Sequence, residues 1–108
     1  MNLNDCENIL RSFGISKIND HAYSFNSEYE YSKDLISLRY FENQYFIKIP
    51  THVYYTLNDS KIHYIGHIFL NIEHISENDF KKYLKSLVKK YKSTVNTLKT
   101  SHINSLLK

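Results

Sequence analysis

Two glycines, one proline, one cysteine and no tryptophan occur in these 108 residues, and each scarcity closes off a class of protein. Gly14 and Gly66 stand alone, so neither a phosphate-cradling Walker loop nor a dinucleotide fingerprint can be built. The same shortage leaves nothing for a nucleophile elbow or an oxyanion turn. A lone Cys6 forbids an internal disulfide and a cysteine-ligated zinc site, and points to a reducing, cytoplasmic setting. The longest near-apolar stretch, 62–70, is broken by His63, Gly66 and His67 and is far short of a membrane span. The opening Met1-Asn2-Leu3-Asn4-Asp5 lacks the basic start and apolar centre of a signal peptide. Acid is missing from one end. From Phe80 onward there are eight lysines and no Asp or Glu, while residues 1–79 hold all 11 acids against six basic residues.

What is present describes a folded chain. It is 42% hydrophobic and 15% aromatic, too rich in packing groups for disorder, and its length suits a single domain over 1–108. Asn, Ile, Lys, Tyr and Phe supply 51 of the 108 residues. All five have A/T-rich codons, which points to a low-GC genome such as that of a bacterium, a phage or a mobile element.

The periodicity changes twice along the chain. Cys6, Ile9, Leu10 and Phe13 recur at helical spacing, with Asn4 as cap, Glu7 in the capping-box position and Gly14 as the left-handed stop. Cys6 belongs to the apolar side of this helix, which reads as a buried thiol. From His21 to Leu70 the period is two. Ala22–Phe25 reads as a short strand, and Glu28–Tyr31 either extends it or forms a polar loop carrying Glu28, Glu30 and Asp34 as solvated charges. Leu35–Phe41 and Gln44–Ile49 read as a hairpin about Glu42-Asn43, pairing Tyr40 with Tyr45, Leu38 with Ile47 and Ile36 with Ile49. Pro50 marks a strand end or corner, and a second hairpin joins Thr51–Leu57 to Ile62–Leu70. Its second side, with His52, Tyr54, Thr56, His63, Ile65, His67 and Phe69, is amphipathic. It is either covered by the N-terminal helix or free for a partner.

The last element starts with Ser76 as cap, Asp79 in the box position and Ile75 stapled to Phe80. Phe80, Leu84, Leu87, Val88, Tyr91, Val95 and Leu98 then share one stripe. Lys81, Lys85, Lys89, Lys92 and Lys99 form a neighbouring stripe, flanked by Lys82. Beyond Thr100 the register fails and threonines and serines accumulate, so a break is expected there, with 101–108 as a separate short helix or tail. The expected architecture is α+β: a four- to five-stranded antiparallel meander, a short N-terminal helix, and a long C-terminal amphipathic helix on one face. Strands of seven residues span only about 23 Å, too short to cover that helix.

Candidate chemistry is sparse. His63 and His67 have chelating spacing for a helix, but on a strand they stand about 13 Å apart, so no metal or cofactor is expected. No residue set forms a catalytic constellation, and the expectation is a non-enzyme. Ten tyrosines exceed what so small a core can bury. These features give the leading expectation of a protein-binding module, such as a phage- or mobile-element-type inhibitor, antitoxin or adaptor. Its candidate partner or homodimer contacts are Tyr29, Tyr31, Tyr54, Ile103, Leu106 and Leu107. The alternative is a nucleic-acid-binding regulator using Lys81, Lys82, Lys85, Lys89, Lys92 and Lys99 as the contact surface. No membrane partner is expected.

Overall fold

The computed structural model describes residues 1–32 and 34–106, with side chains through Ser101 except that of Lys33. Over these residues the order is α1 (Leu3–Ser12), β1 (Ser16–Asn19), β2 (Ala22–Ser24), β3 (Ile36–Phe41), β4 (Gln44–Thr56), β5 (Lys61–Asn71) and α2 (Glu77–Leu106). The strands form one antiparallel meander in sequence order. The fold is the α+β architecture that the periodicity indicates. Strand β1 is the fifth strand; its four residues, Ser16 to Asn19, are too short and too polar to show a period of two.

The β3–β4 register is the expected one, with Leu38 opposite Ile47 and Tyr40 opposite Tyr45. Its two-residue turn places Glu42 and Asn43 at φ 49° and 61°, the left-handed pair that matches strand twist in a tight hairpin. Gly14 ends the first helix at φ 81°. That helix starts two residues earlier than expected, because the side chain of Asn2, not Asn4, accepts the N–H of Asp5 at 2.8 Å.

Pro50 does not end a strand. It lies inside β4, opposite His67, just beyond Lys48, the last β4 residue paired with β3. With no neighbour on that side, its missing N–H removes no ladder bond to β3. The consequence is a strand of 13 residues, reaching about 43 Å at ordinary strand rise. Helix α2, with 30 residues, runs about 45 Å. The long β4–β5 hairpin therefore accompanies the helix along its length, and the molecule measures 54 × 22 × 20 Å. Midway, Gly66 sits at φ 72° opposite Thr51, and a Cβ there would collide with Thr51 Oγ1. Glycine is required here on two counts, the left-handed φ and the Thr51 hydroxyl standing where a Cβ would be, while the strands stay in register on both sides.

Helix α2 is also continuous where a break was expected. The hydroxyls of Thr94, Thr97 and Thr100 donate to the carbonyls of Lys90, Ser93 and Asn96 at 2.7–3.0 Å. Each threonine thereby satisfies its polar group inside the helix instead of competing with it. Residues 101–106 continue the same helix; Leu107 and Lys108 lie outside the described residues.

Phe80, Leu84, Leu87, Tyr91 and Leu98 are buried, and Val88 and Val95 half-buried, as the stripe requires. Ser76 Oγ accepts the N–H of Asp79 at 3.1 Å, closing the cap. Cys6, Ile9 and Leu10 of α1 join Phe80, Leu84 and Leu87 in one cluster with Ile36, Leu38, Ile47 and Ile49. Both helices thus lie on the same side of the sheet. Farther along α2, Tyr91 and Leu98 pack with Ile62, Val53, Tyr55 and Phe25, and Phe25 stacks on Tyr91 with ring centroids 4.0 Å apart.

The β2–β3 connection does more than link two strands. It crosses to β5, where Ile62 donates to the Tyr29 carbonyl at 2.6 Å and Tyr31 donates to the Ile62 carbonyl at 3.0 Å. Glu30, between them, is buried rather than solvated, its carboxylate facing inward. The expectation of a polar loop is corrected there: the backbone bridge to Ile62 turns that side chain into the interior.

Candidate binding surface

Because α1 and α2 share one side, the other face of β3–β5 has no covering layer among the described residues. Phe41 is 65% exposed, Phe69 59% and Ile65 57%, values that core-forming side chains reach only when nothing packs on them. Cross-strand pairing sets their neighbours. Arg39 lies opposite Phe46 and Lys48 opposite Phe69, while His52 faces Ile65 and Tyr54 faces His63. Arg39, Tyr40, Phe41, Phe46 and Phe69 line a shallow groove of about 440 Å³.

The charge on this face has one sign. The 30 residues of β3, β4 and β5 include no Asp or Glu; Glu42 and Asp59 sit in the two hairpin turns. The nearest other acids, Asp20 and Asp34, border Arg39 from the β2 side. Among the described residues, Arg39 and Lys48 have no carboxylate within ion-pair distance. Partial desolvation first, and the Lys48 ammonium second, hold His67 below its ordinary pKa, so it stays neutral near pH 7.

The candidate contact tyrosines are divided. Tyr31 and Tyr54 are exposed, and both stack on His63, with centroids 4.6 and 5.3 Å away. Asp59 accepts from His63 Nε2 at 2.9 Å and is itself held low, chiefly by the Thr56 hydroxyl. Tyr29 is half-buried, with the Lys99 ammonium 5.6 Å above its ring. The tyrosines therefore gather at the far end of the long hairpin, beside the C-terminal part of α2. Ile103 and Leu106 fall in the last turns of that helix, and Leu107 lies outside the described residues.

The lysine stripe belongs to the opposite layer. Lys81 is half-buried; Lys85, Lys89 and Lys92 are exposed, and among the described residues none of these has a carboxylate within 4.0 Å. Lys82 approaches Asp79 at 3.9 Å. Lys90, on the other flank, donates to the Thr51 carbonyl at 2.8 Å, across from Gly66. Helix and sheet cations thus form two separate basic surfaces, and sequence reasoning singled out only the first. The signal for the second was present: between Asp34 and Glu73 only two acids occur, both at turn positions. What hid it was the open question of which face the N-terminal helix covers.

Cys6 is fully buried, and desolvation, then the neighbouring Glu7, push its thiol up to about 12. Against an ordinary value of 9.0, that lowers the thiolate fraction at pH 8 roughly a thousandfold. Native protein should therefore resist a thiol reagent that reacts promptly in denaturant, and the labelling rate should track unfolding. Rapid labelling of the native state would show that the site is open.

Among the described residues no group of three or more His, Cys, Asp or Glu side chains is placed to hold a metal ion. No helix among them is long and apolar enough to cross a membrane. Comparison with protein-family models, curated proteins and solved structures finds no match to this chain.

Proposed function

We propose that the chain is a small non-enzymatic binding module whose working surface is the bare outer face of β3–β5. One observation carries the reading: Phe41, Phe46 and Phe69 line one groove, with Ile65 exposed farther along the same side of three acid-free strands, and no second layer covers them among the described residues. Scattered exposed apolar residues are ordinary, but a contiguous patch rimmed by polar residues marks an interaction site. A partner fitted to this face would cover the rings with flat or apolar groups and bring anionic groups to Arg39 and Lys48. The surface sits on a rigid ladder, so its side chains are pre-organised and little entropy is lost on docking.

The test is the pair of exposed substitutions Phe41→Ser and Phe69→Ser, made together. Both rings are largely outside the core, so the melting temperature should fall by only a few degrees. Ligands captured by the native protein from extract, with and without nuclease treatment, should be lost by the double variant. Retention of the same ligands would remove the outer face from consideration.

A second reading rests on Lys85, Lys89 and Lys92, whose charges are unpaired by any described carboxylate. It assigns nucleic-acid contact to the whole stripe of α2, Lys81, Lys85, Lys89, Lys92 and Lys99 with Lys82 beside it, where five or six phosphate contacts would give a log–log salt slope on the order of −5 on duplex.

A further inference from the structure

We infer that the occupant of the outer face is a single-stranded nucleic acid, an inference that rests on the proposal that this face is the working surface. A single strand alternates a flat π-surface with an anion along its length. The face alternates rings with cations: Arg39 is directly opposite Phe46, and one step along, Lys48 is directly opposite Phe69. Phe46 and Phe69 are diagonal neighbours on adjacent strands, about 7 Å apart in a regular sheet, with Phe41 continuing the row. Aromatic rings on an open sheet stack unpaired bases, and neighbouring cations meet their phosphates.

The absence of acid is as informative as the rings. A carboxylate on any of these strands would repel a phosphate chain at close range, yet none of their 30 residues carries one. The acids of the sheet region are confined to the turns at 42 and 59 and to the β2 side. Along the same side of the sheet, beyond the groove at Phe41, Phe46 and Phe69, follow His67, Ile65 and His52 and then the stacked trio Tyr31, His63 and Tyr54. A duplex is a poor fit, because its bases are already stacked on one another and cannot reach the rings. Lys61 stands away from the rings, at the hairpin end, where its ammonium donates to the Glu28 carbonyl.

The two cations beside the rings set the expected salt dependence. Arg39 and Lys48 give a log–log slope of about −1.4 on a single strand, far shallower than a five-lysine helix contact. Sequence preference should be weak, as stacking accepts any base.

The experiment is fluorescence anisotropy with labelled oligothymidylate, oligouridylate and a duplex of equal length, at low and physiological salt. The native protein should bind both single strands in preference to duplex, with the shallow slope. Phe69→Ala and Phe41→Ala should each weaken binding about tenfold, and Lys48→Gln should flatten the slope. Lys85→Gln, Lys89→Gln and Lys92→Gln, combined, should leave affinity within about threefold, since distant charges act only through a screened field. Equal binding to duplex and single strand, lost in the helix variant and kept in the phenylalanine variants, would overturn the inference in favour of α2. No binding at low salt, with nuclease-resistant protein capture still lost in the Phe41→Ser, Phe69→Ser double variant, would overturn the nucleic-acid occupant and leave the outer face as a protein site. No binding together with unchanged capture would overturn both. Thermal denaturation of each variant, followed by circular dichroism, separates lost contact from lost fold.

Discussion

Truncating Phe80 to alanine is expected to lower stability by about 4 kcal/mol. The ring is fully buried in the first turn of α2 and belongs to the cluster that joins both helices to β3 and β4. Its loss removes the transfer energy of a benzyl group and opens a cavity between rigid elements that can close only in part. It also undoes the staple with Ile75, which sets the angle at which the chain enters the helix. Domains of this size hold only about 5–15 kcal/mol in total, so a large share of the margin goes. Urea denaturation should show a much lower midpoint with an unchanged slope. Phe80→Leu, which refills most of the volume, should cost under about 1.5 kcal/mol. A midpoint for the alanine variant close to that of the native protein would mean that α2 is not seated on the sheet as described.

The burial of Phe80 was legible because helix stripes and hairpin pairing are local patterns. The apolar spacing from Phe80 to Leu98 picks out the buried side of α2, and Glu42-Asn43 sets the register of β3 against β4. What was not legible depended on where neighbours stop. Pro50 is compatible with a continuous strand only because β3 has ended beside it, a fact that no window around Pro50 contains. Once β4 is taken as continuous, the concern that the helix outruns the sheet disappears. The threonines of α2 lower helix propensity as isolated residues, yet their hydroxyls bond back to the preceding turn.

The candidate site was lost for a related reason. Alternation along β4 and β5 showed that two faces exist but not which one the N-terminal helix would take. With α1 beside α2, the amphipathic face is left bare, and its aromatic and basic members acquire a meaning that they lack individually. The lysine stripe was conspicuous because helix periodicity makes it so. Its conspicuousness says nothing of its role, since a solvated lysine face is the ordinary fate of the outer side of a helix.

Glu30 carries the second large expectation. Its carboxylate is buried, accepting from Ser24 Oγ at 3.2 and 3.3 Å and from the Ser27 N–H at 3.0 Å. Burial first, and this carboxylate second, push the Tyr64 hydroxyl far above its ordinary range, so the phenol stays protonated beside the anion. Glu30→Ala should cost about 3 kcal/mol, because it leaves a buried serine hydroxyl and a backbone N–H without their acceptor and opens a void. Glu30→Gln keeps an acceptor for the same donors and should cost about 1 kcal/mol. The loss should also have a local signature. The backbone of the connection that carries Glu30 bonds to β5 at Ile62, through Tyr29 and Tyr31, with the Lys61 ammonium on the Glu28 carbonyl and Tyr31 on the His63 ring beside it. Amide exchange at Ile62 and Tyr31 should therefore accelerate in the alanine variant by more than the global change requires, while β3–β4 amides follow the global value. If Glu30→Ala costs less than about 1 kcal/mol, the carboxylate is reached by water and the backbone bridge alone holds the crossing. If the cost is large but exchange rises uniformly, the crossing is part of the main cooperative unit. The Tyr31–His63–Tyr54 stack at the far end of the binding surface then stands or falls with the core.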